Sequence, residues 1–216
     1  MMEATLEKIK KSVYDGDDKA VKELCERALK EGISPSRILD KGLVAGIKQV
    51  GEEWISGRAF LTTVLISAAV MKEGVSIIEP EMARRKEKAK TLGKVVIGTV
   101  KGDIHDLGLT LVSTMLSAEG FEVHDVGVDV SEEVFVNKVK EIKPQIVGLS
   151  ALMTNSMIEQ KTVIKALKRA GLRNAVKVMV GGAPVTAEWA EEIGADGYAE
   201  NPYEATKMAK RLAKGD

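Results

Sequence analysis

The sequence has a single cysteine, few aromatic residues and no net charge. One cysteine among 216 residues, Cys25, excludes an internal disulfide and any metal site built from several cysteines. The 32 basic residues are balanced by 32 acidic ones, which argues against a broad nucleic-acid-binding surface. Uninterrupted apolar runs stay short of the roughly 18–20 residues that span a bilayer, and the N-terminus lacks the apolar segment of a signal peptide. These features predict a cytoplasmic protein that binds neither nucleic acid nor membrane.

The first 80 residues place apolar side chains three or four positions apart, which is the spacing of amphipathic helices. Three breaks divide this region into four stretches, at Asp15-Gly16-Asp17, Gly32 and Ser56-Gly57. The predicted core stripes of the last two helices are Leu39, Leu43, Ile47, Val50 and Trp54, and Leu61, Leu65, Ala68, Met71, Val75 and Ile78. The fourth helix is expected to stop before Pro80. Short turns between four helices predict an antiparallel four-helix bundle over residues 1–88.

Residues 81–94 are rich in Lys and Arg and nearly free of apolar side chains. A charge run of this kind is typical of a solvated linker or an exposed helix face. We therefore interpret it as the connection between two domains, with the second domain covering residues 89–216.

The second half alternates short apolar runs with amphipathic stretches. The predicted strands are 95–97, 121–123, 146–149, 176–180 and 197–199. The predicted helices are 107–119, 132–143, 157–170, 187–193 and 203–214. This alternation implies parallel strands joined by right-handed crossovers, and hence an α/β fold with a flavodoxin-like, doubly wound, five-stranded parallel sheet in the order 2-1-3-4-5. Ligands of such sheets bind beyond the carboxyl ends of the strands.

The loop after the first predicted strand holds the sharpest chemical signal. It contains His105, one of only two histidines, with Asp103 two residues earlier. A neutral imidazole is a good transition-metal ligand, and a nearby carboxylate can hold its other nitrogen in the required tautomer. Taken alone, the loop favours a histidine that caps the next helix, with Asp103 as a turn residue, because a lone histidine is a weak metal signal.

The next strand ends change this balance. A hydroxyl-rich segment, 148–156, follows the third strand, and Gly181-Gly182 follows the fourth. Each feature alone is weak, since hydroxyls cap helices and Gly-Gly pairs form turns. Together on three successive strands they predict one elongated cleft lined by small residues, suited to a long flexible ligand.

The pattern Asp103-x-His105-x-x-Gly108, followed by Ser150 to Ser156 and Gly181-Gly182, resembles a known family. It is similar to the base-off, His-on cobalamin-binding domain of methionine synthase and of the corrinoid proteins of anaerobic methyltransferase systems. The helical half resembles the cap of the same proteins through Gly51-Glu52-Glu53-Trp54, Gly57 to Leu61 and Ala68 to Met71. The resemblance covers nearly the whole chain.

This resemblance implies roles for individual residues. His105 replaces the dimethylbenzimidazole of cobalamin as the lower cobalt ligand, Asp103 accepts its other imidazole proton, and Ser156 bonds to Asp103. The other implied cofactor contacts are Gly102, Ile104, Asp106, Leu107, Gly108, Ser150, Leu152, Thr154, Gly181 and Gly182, with Phe60, Leu61 and Leu65 over the upper face. The chain departs from many relatives at Leu109-Thr110, where they have Lys-Asn.

The implied function is that of a carrier rather than of an enzyme acting alone. The resemblance implies a methyl group held on cobalt between two partners. These partners are a donor-specific methyltransferase, for methylamine, methanol, betaine or methoxyaromatic compounds, and an acceptor methyltransferase that uses tetrahydrofolate or a thiol. A reductive activating protein is a third implied partner.

Other classes share parts of these patterns. A cobalamin-dependent mutase subunit has the histidine motif without needing a cap, and a cobalamin-based sensor or regulator has both. A phospho-receiver or flavin domain has the same sheet, but a receiver needs an acceptor Asp where this chain has Ser150. His124 follows the second strand and fits a surface role, and Cys25 fits the core of a helix stripe.

Overall fold

The computed structural model describes residues 2–85 and 91–214. The chain divides into two compact units, Met1–Lys90 and Thr91–Asp216, which are described separately below. The domain boundary predicted between residues 88 and 89 lies outside the described residues.

The first unit is built from helices. They are α1 (Met2–Asp15), α2 (Asp18–Lys30), α3 (Pro35–Ile38), a π-helical segment (Leu39–Leu43), α4 (Val44–Ile55) and α5 (Leu61–Arg85). Helix α1 packs against α2 and α4, and α5 packs against the same two helices. The breaks predicted at Gly16, Gly32 and Gly57 all have positive φ angles, which glycine adopts without a steric penalty. This confirms the predicted helical bundle.

The third predicted helix contains a π-helical segment that the sequence did not indicate. Its wider turn changes the phase of the apolar stripe, so that Ile38 is fully buried while the predicted Leu39 is only half-buried. Gly42 lies within this segment, and a Cβ atom there would come 2.8 Å from the side chain of Ile9. The close approach of α1 therefore requires glycine at this position.

Helix α5 differs from its prediction in length. It continues through Pro80 to Arg85, so the expected stop before Pro80 is wrong, and residues 81–85 of the expected linker are helical. Glu81 bonds to the guanidinium groups of Arg84 and Arg85 in the turn after the proline. These bonds hold the pKa of Glu81 at about 2 and support the last helical turn.

The buried face of α5 is also rotated from the predicted stripe. Ser67 and Gly74 lie on it, with Val64, Met71 and Ile78, whereas the predicted Leu61 and Leu65 are half-buried. By length and composition alone, α5 could cross a membrane, so the expectation that no apolar stretch is long enough to span a bilayer is wrong. A core helix passes the same test, and the buried stripe of α5 is that of a helix within a bundle.

The second unit contains a five-stranded parallel sheet. Its strands are β1 (Lys94–Thr99), β2 (Glu122–Asp125), β3 (Ile146–Ser150), β4 (Lys177–Gly181) and β5 (Gly197–Ala199). Its helices are α6 (Leu107–Ala118), α7 (Glu132–Ile142), α8 (Thr154–Arg169), α9 (Ala187–Ile193) and α10 (Pro202–Lys214). The strand order is β2-β1-β3-β4-β5 and all pairs are parallel, which confirms the predicted flavodoxin-like topology.

The sheet separates two apolar layers. Alternate strand residues such as Val96, Val147 and Val178 pack against α7, α8 and α9 on one face. Ile97 and Met179 pack against α6 and α10 on the other face. The carboxyl ends of β1, β3 and β4 lie side by side, because Thr99 pairs with Ser150 and Ser150 with Gly181. The loops that follow these strands are therefore neighbours.

Candidate functional site

A buried carboxylate, that of Asp103, organises the loop between β1 and α6. The side chain is 0% exposed and accepts five hydrogen bonds. Its Oδ1 accepts from Nδ1 of His105 at 2.7 Å and from the backbone N–H of His105 at 3.1 Å. Its Oδ2 accepts from the hydroxyl of Ser156 at 2.6 Å and from the backbone N–H groups of Leu152 and Met153. One carboxylate thus joins the loops after β1 and β3.

These hydrogen bonds decide the charge of Asp103. Burial opposes its ionisation, but the bonds from Ser156, from His105 and from the backbone of Leu152 outweigh burial. The pKa of Asp103 is therefore held well below its usual range, and the side chain is a carboxylate at neutral pH.

His105 presents its ring at the edge of the sheet. Its side chain is 46% exposed although its partner Asp103 is fully buried. Because Nδ1 bonds to Asp103, Nε2 is the nitrogen available to a metal, and it makes no hydrogen bond within residues 2–85 and 91–214. The hydroxyl of Thr99 donates to the backbone carbonyl of His105 at 3.0 Å and fixes the loop from the other side.

A cavity of about 610 Å³ opens beside His105. Its mouth carries Ile104, Leu107 and Leu152, whose side chains are exposed. Its wall extends between the sheet and α6 and α10, where Val112, Met179 and Ala205 line it. Small or apolar residues form most of this wall, which suits a flat organic group.

Three glycines of the cavity lack side chains for different reasons. A Cβ atom on Gly108 would meet nothing within 4 Å and would project into open space. A Cβ atom on Gly182, whose φ is +123°, would lie 1.7 Å from the carbonyl oxygen of Ala151. One on Gly181 would lie 2.8 Å from the carbonyl oxygen of Ala199. The fold itself therefore requires Gly181 and Gly182, whereas Gly108 leaves room in the cavity.

Most residues singled out in the sequence meet at this place. The lining includes Ile104, His105, Asp106, Leu107, Gly108, Ser150, Leu152, Gly181 and Gly182, with Asp103 and Ser156 buried behind His105. Gly102 is exposed in the same loop, and Thr154 is exposed at the start of α8, outside the lining. Phe60, Leu61 and Leu65 belong to the helical unit, where Phe60 is 81% exposed.

Some lining residues were missed in the sequence. Ala199 ends β5, Glu200, Asn201 and Pro202 follow it, and all four line one side of the cavity. The weak fifth strand was the available signal, since its carboxyl end had to lie beside Gly181. Leu109 is 2% exposed and also lines the cavity.

The sequence analysis also missed Gln160, which is fully buried on α8. Its side-chain N–H groups donate to the carbonyls of Leu149 and Gly181, and its oxygen accepts from Nε1 of Trp189. Gln160 thereby ties the ends of β3 and β4 together beneath the cavity. A polar residue within the apolar stripe of α8 was the signal for it.

Comparisons with known protein families agree with this geometry. The family described as B12 binding domain matches residues 93–207, which contain every residue of the cavity lining. A second family of the same description matches residues 5–79 of the helical unit.

Similar curated proteins cover almost the whole chain. The trimethylamine corrinoid protein of Methanosarcina barkeri is 47% identical over 208 residues, which are 96% of this chain and 96% of the relative. The dimethylamine corrinoid protein 2 of Methanosarcina acetivorans is 52% identical over 186 residues, 86% of each chain.

Solved structures show the same architecture. A chain of the methanol:cobalamin methyltransferase complex from Methanosarcina barkeri superposes with a TM-score of 0.90 at 29% identity, covering 99% of this chain and 81% of that one. The Methanosarcina barkeri monomethylamine corrinoid protein is 38% identical with a TM-score of 0.53, covering 98% of this chain and 100% of that one.

Proposed function

The chain belongs to the corrinoid proteins of methyltransferase systems, whose B12-binding domains match both of its units, and we propose that it carries a methyl group on base-off cobalamin held by His105. The observation that carries this proposal is the arrangement of Ser156, Asp103 and His105 at the mouth of the cavity. Family membership sets aside the phospho-receiver and flavin alternatives. Bound cobalamin would supply the cobalt on which the methyl group travels.

The residues present fit such a cofactor. His105 has Nε2 turned away from its hydrogen-bonded Nδ1, so a single protein nitrogen is available as the lower ligand. Asp103 holds the ring in the tautomer with the proton on Nδ1, which leaves the lone pair of Nε2 for a metal. Ser156 in turn fixes the carboxylate. This series of contacts orients the ligand and determines how strongly it donates to a metal.

The cavity would receive the nucleotide tail. Gly108 leaves open space at the start of α6, and the wall of Val112, Met179 and Ala205 is apolar. Ser150 and Asn201 provide polar groups near the strand ends. A flat heterocycle with a polar linker matches this distribution of apolar wall and polar rim.

We propose a methylamine as the methyl donor bound by the partner methyltransferase. The relatives named for trimethylamine and dimethylamine are 45–52% identical to this chain, whereas the chain of the methanol system is 29% identical. The acceptor methyltransferase and a reductive activating protein complete the proposed set of partners. In the helical unit, we propose that Phe60, Leu61 and Leu65 protect the methyl group.

The experiment is electron paramagnetic resonance of the protein with Co(II) cobalamin, combined with labelling by ¹⁵N-histidine. We expect hyperfine splitting from one nitrogen that changes on histidine labelling and is lost in His105→Ala. His124→Ala is the matched control, because His124 bonds to Glu122 on β2 and does not line the cavity. A signal from the cofactor's own dimethylbenzimidazole in the wild-type protein would contradict the base-off, His-on proposal.

The donor is tested separately. The protein loaded with Co(I) cobalamin is mixed with a trimethylamine, a dimethylamine or a methanol methyltransferase and its substrate. Methylation measured by absorbance is expected with an amine enzyme. Methylation with the methanol enzyme alone would contradict the donor assignment while leaving the cofactor proposal intact.

A further inference from the structure

Asp129, in the loop between β2 and α7, holds the histidine loop at two adjacent residues. Its Oδ1 accepts a hydrogen bond from the backbone N–H of Gly102 at 2.7 Å. Its backbone N–H donates to the carbonyl of Asp103 at 2.8 Å. The two bonds therefore fix the backbone on both sides of the Asp103 α-carbon.

The backbone of Asp129 is in an unusual conformation for this purpose. Its φ is 52°, in the left-handed region that Asp and Asn tolerate better than most other residues. The next residue, Val130, donates from its N–H to the carbonyl of Thr99 and forms a parallel bridge with Val100. The left-handed turn thus lets one residue use both its side chain and its N–H on the neighbouring loop.

Asp129 acts on the site only through the backbone of other residues. It does not contact the Asp103 carboxylate, whose five partners come from residues 105 and 152–156. It also lies outside the cavity lining. The direction of the Asp103 side chain nevertheless depends on where its own backbone is held.

We infer that Asp129 is a positioning residue for the lower cobalt ligand. It fixes the backbone of Gly102 and Asp103, so that the Asp103 carboxylate meets Nδ1 of His105 and turns Nε2 outward. This inference rests on the proposed function of His105. Losing a single hydrogen bond is expected to weaken cobalamin binding by about threefold to tenfold.

Three substitutions separate the side-chain acceptor from the backbone conformation. Asp129→Asn keeps an acceptor oxygen and tolerates the left-handed region. Asp129→Gly removes the acceptor but adopts the positive φ freely, and Asp129→Ala removes the acceptor and adds backbone strain. Asp125→Ala is the matched control, since Asp125 accepts from the N–H of Gly127 in the same loop without contacting the histidine loop.

Two measurements test the inference on the full-length protein. Amide hydrogen exchange of the apo protein should show faster exchange at Gly102 in Asp129→Gly and Asp129→Ala, with wild-type exchange in Asp129→Asn. With Co(II) cobalamin, the first two variants should show a smaller fraction of histidine-nitrogen hyperfine signal, and Asp129→Asn should restore it. A purely structural role would lower stability without changing this fraction.

The outcomes are distinct. Wild-type exchange at Gly102 and a wild-type histidine signal in Asp129→Gly would overturn the inference. An equal loss of the histidine signal in Asp125→Ala and Asp129→Gly would overturn it too. If the wild-type protein itself shows no histidine signal, the proposed function fails and the inference fails with it. A wild-type signal that survives in Asp129→Gly removes only the role of Asp129.

Discussion

Ser156 donates a hydrogen bond of 2.6 Å to Asp103, although 53 residues separate the two along the chain. Ser156 lies in the first turn of α8 and is 3% exposed, and Asp103 lies in the loop that carries His105. The contact therefore connects two strand ends through one buried carboxylate. A change at either residue should affect both the stability of the second unit and the properties of the histidine.

The first prediction concerns this bond. Ser156→Ala should lower the free energy of unfolding by about 1.5 kcal/mol, the low end for a bond to a charged group, because Asp103 keeps its other donors. Cobalamin affinity should fall roughly tenfold. Urea unfolding followed by tryptophan fluorescence and titration followed by absorbance measure the two effects.

Ser117→Ala is the control for Ser156→Ala, since the Ser117 hydroxyl bonds only locally to the carbonyl of Ser113. Ser156→Ala and Asp103→Asn should each shift the Co(II)/Co(I) potential, because the first removes a donor to the carboxylate and the second removes the carboxylate that accepts from His105. Unchanged potentials in both variants would contradict the roles of Asp103 and Ser156.

A second prediction contrasts two glycines of the cavity. Gly182→Ala should destabilise the apo protein by at least about 2 kcal/mol, because its Cβ would collide with the carbonyl of Ala151 at a positive φ. Gly108→Ala should leave apo stability unchanged or raise it by up to about 1 kcal/mol, since alanine favours a helix. The new methyl group should weaken cobalamin binding about tenfold. Thermal unfolding and binding titrations of the two variants provide the test, and wild-type affinity in Gly108→Ala would argue against a ligand in this part of the cavity.

The third prediction concerns the helical unit. Replacing Phe60 and Leu65 with Ala should accelerate photolysis of methylcobalamin bound to the protein, with little change in its affinity. Phe60 is largely exposed and Leu65 is half-buried, so both substitutions should leave the bundle folded. Ile66→Ala is the control, because Ile66 is an exposed apolar residue next to Leu65 on α5. Equal photolysis rates in all three proteins would remove the protective role.

The fourth prediction follows from the burial of Cys25. Burial raises the pKa of its thiol to about 12, so the native protein should resist iodoacetamide at pH 8 and react only when the helical unit opens. A raised pKa means that the folded state keeps a proton which the unfolded state releases above about pH 9. Stability should therefore fall with rising pH by up to about 1.4 kcal/mol per pH unit above that point. Cys25→Ala should lack this contribution, and denaturant unfolding of both proteins at pH 8 to 10 compares them.

The sheet was predictable because β1, β3 and β4 each contain a buried apolar run and alternate along the chain with amphipathic helices. The helical unit was less predictable, since its core uses Ser67 and Gly74 on α5. A Cβ atom on Gly74 would lie 2.4 Å from the side chain of Leu43, so the helices approach where side chains are smallest. Apolar periodicity treats such residues as exposed, and for that reason the predicted stripe was rotated.

Pro80 shows a second limit of sequence patterns. A proline removes one helical hydrogen bond, which predicted an end to α5. Pro80 is exposed, so water can reach the carbonyl that lost its partner, and Glu81 with Arg84 and Arg85 stabilises the following turn. The cost of one bond was smaller than the gain from continuing the helix.

In the site, the motif indicated the residues but not their geometry. The resemblance implied contacts among His105, Asp103 and Ser156, and the structure contains both hydrogen bonds. The backbone donors of Leu152 and Met153 to Asp103 were not predictable, and neither was the hydrogen bond from the Gly102 N–H to Asp129. All three bonds use main-chain N–H groups, which almost every residue has, so the sequence does not indicate them. The short fifth strand gave too weak a pattern to place residues 200–202 at the cavity.

The fully bonded carboxylate of Asp103 also bears on the rate at which cobalamin is captured. Its five donors all belong to the protein itself, so this network can form before a ligand arrives and the loop should lose little conformational freedom on binding. The slow event should then be the detachment of the cofactor's own base, which the protein cannot prearrange. A corrinoid that lacks a coordinating base should therefore associate fast, because little ordering of the loop is needed. The association rate of intact cobalamin should instead saturate as its concentration rises, because detachment of the base then limits the rate.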